Sequence, residues 1–190
     1  FFTPELQAKH TAFDIGTANA LLDDIGLTRR DAEGIRLLPD GRVLEIVVES
    51  AGEDTNESDV LELVKDTWAK AGIKLFTKTQ TREVLRSRVT SGDALMSTWT
   101  GYENGVPTAD YPPFELAPTR DDQLQWPLWG LNTMSNGKGG EPIDDPDAKT
   151  LLASYQSWLV AADTATREKI WIDMLAIHAD KLYTIGVVSA

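Results

Sequence analysis

The sequence predicts an α/β fold built on a mixed, mainly parallel sheet with helices on both faces. Three observations carry this. Between Val43 and Trp99 the pattern runs strand, helix, strand, helix, strand with short connections, which implies parallel pairing through right-handed crossovers. Gly26, Gly72 and Gly92 each close a helical stretch, where a left-handed residue is wanted. The run Val43 to Glu49 is too apolar for a strand with one wet face.

In chain order, Phe1 to Phe13 carries no period. Thr17 caps a helix over Ala18 to Ile25, with Ala20, Leu21, Leu22 and Ile25 inward. Leu37-Leu38-Pro39-Asp40-Gly41-Arg42 is a turn, since Pro presets φ and Asp-Gly tolerates a left-handed position. Ser58 caps the next helix, Asp59 to Ala71, whose Val60, Leu61, Val64, Trp68 and Ala71 form one stripe. Ile73 to Thr79 alternates and is a strand. Thr81 to Ser91 is a helix with Val84, Leu85 and Val89 inward, and Asp93 to Trp99 is the third strand.

That strand opens the stretch Gly92 to Gly105, which also carries Tyr102 and Glu103. In open α/β sheets ligands bind outside the carboxyl ends of the strands, and an indole placed there is better explained by a ligand than by the core. Thr100 to Pro146 is a long loop rich in proline and glycine, and loops of this length are functional or disordered. Tyr111, Phe114, Trp126, Leu128 and Trp129 argue against disorder. Asp145-Pro146 starts a helix carrying Leu151, Leu152, Tyr155, Leu159 and Val160. Asp163 or Thr164 caps a final helix to about Asp180, with Ile170, Trp171, Met174, Leu175 and Ile177 buried, and Tyr183 to Val188 is a last strand.

Composition excludes several function classes. The net charge of −12 argues against a nucleic-acid partner. There is no cysteine, so disulfides, thiolate metal sites and cysteine nucleophiles are out. No apolar run approaches the ~18 residues of a membrane helix. The chain begins Phe1-Phe2-Thr3-Pro4, without Met or a basic segment, and Ile185-Gly186-Val187-Val188 reads as strand almost to Ala190. The expectation is a piece of a larger protein, with any signal peptide outside this sequence.

Motifs for covalent chemistry are missing. His10 and His178 have no partner at metal spacing. Ser135-Asn136-Gly137-Lys138-Gly139-Gly140 fails as a phosphate loop, because Gly follows Lys138 and Asn132 stands where the first Gly belongs. Asp144, Asp145 and Asp147 lack the Gly and distal Glu of a calcium loop and read as helix capping. The aromatic residues say more. Trp68 and Trp171 fit helical stripes and belong to the core. Trp99, Trp126 and Trp129 lie at a strand end or in the loop, where flat rings stack on sugars or peptide side chains; the competing account is that the loop folds back and buries them.

Taken together, these landmarks resemble the C-terminal lobe of the family 5 extracytoplasmic solute-binding proteins of ABC transporters, the oligopeptide, dipeptide and nickel binders. The residues carrying the likeness are Ala20-Leu21-Leu22-Asp23-Asp24-Ile25-Gly26-Leu27, Arg36-Leu37-Leu38-Pro39-Asp40-Gly41, the strand Val43 to Glu49, Trp68-Ala69-Lys70-Ala71-Gly72-Ile73-Lys74-Leu75, the run Ser91 to Trp99, and Asp163 to Arg167 before the last strand. The resemblance implies a periplasmic-binding-protein type II-like lobe over residues 1–190, with an N-terminal lobe outside this sequence and 100–146 as its ligand-side loop. It implies a periplasmic or extracytoplasmic protein, monomeric, that passes a peptide or oligosaccharide to a membrane permease without cofactor or metal.

The ligand-binding residues expected on this basis are Trp99, Tyr102, Glu103, Asp110, Tyr111, Trp126 and Trp129. Peptide binders of the family commonly show Trp-x-Ala-Asp-Tyr after this strand, and the Asp pairs with the free α-amino group of the peptide. Here Tyr102 stands at that place. Glu103 is one position later, and Ala109-Asp110-Tyr111-Pro112 restores the motif after eight further residues; both repairs stay open. The substitution tilts the expectation toward a neutral solute such as an oligosaccharide. The rival reading is a glycoside hydrolase piece using Glu103, Asp110 and Glu115, which would need two carboxyls facing each other.

Overall fold

A buried arginine organises the first half of the chain. Arg36 is 1% exposed in the computed structural model, which describes residues 3–53, 55–99 and 107–186. Its Nε donates to the Ala71 carbonyl at 2.8 Å, and one terminal nitrogen donates to the Asn19 carbonyl at 3.1 Å and to Asn19 Oδ1 at 2.8 Å. The other terminal nitrogen meets Asp23 and the Leu27 carbonyl. A charge this deep is tolerable only when its donors are satisfied.

The chain divides into two compact units, residues 13–99 and residues 1–12 with 100–190. The first holds α2 (Ile15–Asp24), β1 (Glu45–Ser50), α3 (Thr55–Ala71), β2 (Lys74–Thr79), α4 (Arg82–Thr90) and β3 (Met96–Ser97). The strands form a parallel sheet in the order β2-β1-β3, with Val48 opposite Thr77 on one side and Met96 on the other. The apolar run read from Val43 onward is thus the middle strand. Val48, Leu61 and Leu75 form the buried centre, with Trp68 and Met96 packed against it. Gly72 and Gly92 end their helices at φ +84° and +78°.

Several local expectations change. Helix α2 starts at Ile15 on an Asp14 cap, not on Thr17, and buries no residue; Leu21 is 61% and Ile25 72% exposed. Asn19 and Asp23 pair with Arg36, and Ile15, Ala18 and Leu22 are half-buried while Leu21 and Ile25 face outward. Helix α3 begins at Thr55, before Ser58. Val84 is exposed while Leu85 and Val89 are buried. The third strand is two residues long rather than seven.

The second unit holds α1 (Pro4–Ala8), a 3-10 turn at Phe114–Leu116, α5 (Pro127–Met134), α6 (Pro146–Val160) and α7 (Thr164–Lys181). Asp145 caps α6 and Asp163 caps α7, as expected. Helix α5 falls inside the stretch read as loop. Its interior Gly130 lets it approach the chain closely, since a Cβ there would lie 1.8 Å from the Arg120 carbonyl oxygen. Helix α6 buries Ala148, Leu151 and Trp158, while Leu159 and Val160 are exposed. Tyr183 to Gly186 form no strand, and Val187 and Val188 lie outside the described residues.

Replacing Arg36 by Met removes the donor that the Asn19, Leu27 and Ala71 carbonyls, Asn19 Oδ1 and Asp23 share. We expect Arg36→Met to lower the unfolding free energy by about 3–5 kcal/mol in urea denaturation. Arg36→Lys should recover little, because one ammonium cannot span the same set. A loss under about 1 kcal/mol would show that these contacts are not what holds α2 to α3.

Candidate ligand-binding edge

Parallel strands put their carboxyl ends on one side. In the first unit that edge collects Ser50 to Glu53 after β1, Gln80 to Arg82 after β2, and Thr98 and Trp99 after β3. Trp99 is 40% exposed there. Its ring is not bare: the guanidinium carbons of Arg82 and Arg86 lie 5.2 and 5.3 Å from its centroid. Arg82 is also forked onto Glu53, with Nε 2.8 Å from Oε1 and a terminal nitrogen on Oε2. That pairing holds the Glu53 carboxyl below its ordinary pKa, with Arg82 the main cause and Arg86 contributing.

What fixes α4 against this edge is a second buried charge. Glu49 of β1 is 3% exposed and accepts from Arg88 Nε at 2.7 Å and Arg88 Nη2 at 2.7 Å, and from Gln80. Arg88, opposed by desolvation, lowers the Glu49 pKa. Neither Arg82 nor Arg86 was singled out by sequence. At 82 and 86 they look like ordinary solvent-face residues of a helix, and only the strand register brings an indole beneath them.

The other expected residues fall in the second unit, or are not described. Tyr102 and Glu103 lie outside the described residues. Asp110 is exposed in a turn closed by Thr108 and Tyr111, whose backbones exchange bonds of 3.0 and 3.1 Å. Tyr111 packs edge-on against Phe114 at 5.2 Å, and Phe114 carries the Arg120 guanidinium at 5.3 Å. Glu115 is half-buried in the 3-10 turn. Trp129 is half-buried against the core.

Trp126 is corrected from ligand contact to core. It is 3% exposed, and its ring meets His178 and Tyr183 edge-on at 5.7 and 5.1 Å. His178 Nε2 donates to the Leu116 carbonyl at 2.9 Å, and burial pushes its pKa down despite that bond. Tyr183 donates to Asp145 at 2.7 Å; burial, then this carboxylate, raises the phenol pKa. Tyr183, followed by the Ala148 amide, lowers that of Asp145. Depressions among the described residues mark the second unit. One, of about 460 Å³, is lined by Phe114, Arg120, Leu152 and Tyr155 among others, and one of about 310 Å³ lies by Trp158 and Arg167. Among the described residues, no group of three or more His, Asp or Glu is placed to hold a metal ion.

Comparison with known proteins defines the class. The family described as bacterial extracellular solute-binding proteins, family 5 middle, matches residues 1–122, so the chain belongs to the family 5 solute-binding proteins. Among solved structures, the oligopeptide-binding protein OppA superposes with a TM-score of 0.81 at 23% identity, over 96% of this chain and 30% of its own. MelB from Agrobacterium fabrum, in complex with stachyose, gives 0.72 at 20% identity over 92% and 25%. NikA from Brucella suis, in complex with Fe(III)-EDTA, gives 0.63 at 24% identity over 89% and 30%. The chain therefore spans under a third of the length of these proteins, and the likeness establishes a periplasmic-binding-protein type II-like α/β fold. A comparison with curated protein sequences gave no match.

The His178 environment generates a pH dependence. The folded imidazole stays neutral where the unfolded one, at its ordinary pKa of about 6.5, takes up a proton. Stability is therefore full above that value and falls as pH drops below it. Lowering pH from about 7.5 to about 5.5 should reduce the urea midpoint, and His178→Gln should flatten that slope. An unchanged slope in the variant would place the pH sensitivity elsewhere.

Proposed function

We propose that this protein is the extracytoplasmic solute-binding component of an ABC importer, capturing a peptide or an oligosaccharide and delivering it to a membrane permease. The observation that carries the reading is family membership over residues 1–122. The description of OppA as an oligopeptide-binding protein and the stachyose in the MelB structure support the two solute classes. Residues 1–190 act as a C-terminal lobe, with 100–146 as its ligand-side loop. Trp99 is the anchor of the ligand edge, and Tyr102, Glu103, Asp110, Tyr111 and Trp129 supply loop contacts. The protein works as a monomer by binding alone, without catalysis or cofactor.

Two measurements test this. Mass spectrometry of solute carried through purification of the full-length protein should find a peptide or an oligosaccharide. Trp99→Ala should weaken binding of that solute by about 1–3 kcal/mol in calorimetry, the scale of a buried aromatic contact, with little change in melting temperature. A large loss of stability with unchanged affinity would assign Trp99 to packing instead.

A further inference from the structure

The two cations around Trp99 are unevenly partnered. Glu53 faces two guanidiniums, and Arg82 takes both of its oxygens. The Arg86 guanidinium has no hydrogen bond or ion pair among the described residues; it rests on the indole at 5.3 Å. A guanidinium carries all its donors in one plane, so seating it beside an aromatic ring limits its motion without using any N–H. The helix that carries Arg86 cannot easily slide, since Arg88 is locked to the buried Glu49. An ordered fork of free donors beside a partly exposed ring suits a planar oxyanion held bidentately.

We propose that Arg86 reads a carboxylate on the solute, so that the captured molecule is anionic at this edge rather than neutral as the sequence suggested. This rests on the Trp99 edge being the solute-binding edge. Two sources present the same group, a uronic acid in an oligosaccharide and the carboxyl terminus of a peptide. The test is isothermal calorimetry of full-length protein with two matched pairs: trigalacturonic acid and its methyl ester, and penta-alanine and its carboxamide. In the pair matching the natural solute, the acid should bind about tenfold tighter than its uncharged partner, and added salt should shrink the ratio. Arg86→Gln should bring the ratio to within about twofold, and Arg86→Lys should keep part of it, the charge without the fork. Preference in the sugar pair assigns a uronate, and preference in the peptide pair assigns a terminal carboxylate. Equal binding of acids and uncharged partners, or a preference that survives Arg86→Gln, overturns the inference while leaving solute capture standing. No binding by any of the four overturns both.

Discussion

A carboxylate in the middle of a sheet has to be paired, and the way Glu49 is paired sets the edge at the carboxyl ends of the strands. β1 has a neighbour on each side, so Glu49 cannot reach water by leaning off an edge. An ionised group in that position survives through charge-assisted bonds, and Arg88 supplies them in forked form. Because Arg88 belongs to α4, the pairing also fixes how that helix is rotated. Leu85 and Val89 go into the core, and Arg82 and Arg86, one turn apart, come to the indole after β3.

Arg36 solves the mirror problem with a cation. It gathers the carbonyls of Asn19, Leu27 and Ala71 and the side chains of Asn19 and Asp23, tying α2 to the end of α3. Its cost is visible in α2. Positions 19 and 23 are one turn apart and both pair with Arg36, so the half-buried face of the helix carries Asn19 beside Ile15, Ala18 and Leu22 and leaves Leu21 and Ile25 outside. Gly72 belongs to the same device, since a Cβ there would come within 2.8 Å of the Arg36 side chain. A glycine read from sequence as a helix stop thus also makes room for the buried arginine.

These two charges mark where the sequence was readable. The β1-α3-β2-α4 order, the 37–42 turn and the caps at Asp145 and Asp163 follow from local chemistry: apolar period, left-handed glycines and side-chain acceptors. The face of α2 was misread in part: Leu22 is half-buried, but Ala20, Leu21 and Ile25 are exposed, because the inward face is set by the Asn19 and Asp23 bonds to the buried arginine. Helix α5 was missed because eight residues with a proline start and an interior glycine show no period. Trp158 was passed over in favour of Leu159 and Val160, although positions 148, 151 and 158 share one helical face. The place of Trp99 beyond the third strand was legible because a strand pattern ended on it. Arg82 and Arg86 were not, because nothing in a helix sequence says which strand end lies beneath it.

The fate of each tryptophan then follows from what already occupies its ring. Trp126 meets an imidazole and a phenol edge-on, and the partners of those two, the Leu116 carbonyl and Asp145, sit in the same unit. With 3% of its surface open, its ring belongs to the core of that unit. Trp99 is also contacted, but by cations rather than rings, and it keeps 40% of its surface. A bare indole offers a sugar or an aliphatic chain an apolar face and little choice between charged and neutral partners. An indole flanked by guanidiniums offers apolar surface and directed donors side by side, and it penalises any cationic group brought to the same place. The chemistry this edge presents is therefore set by the helix packed beside the ring as much as by the ring itself, and that helix is held in place by the carboxylate buried in β1.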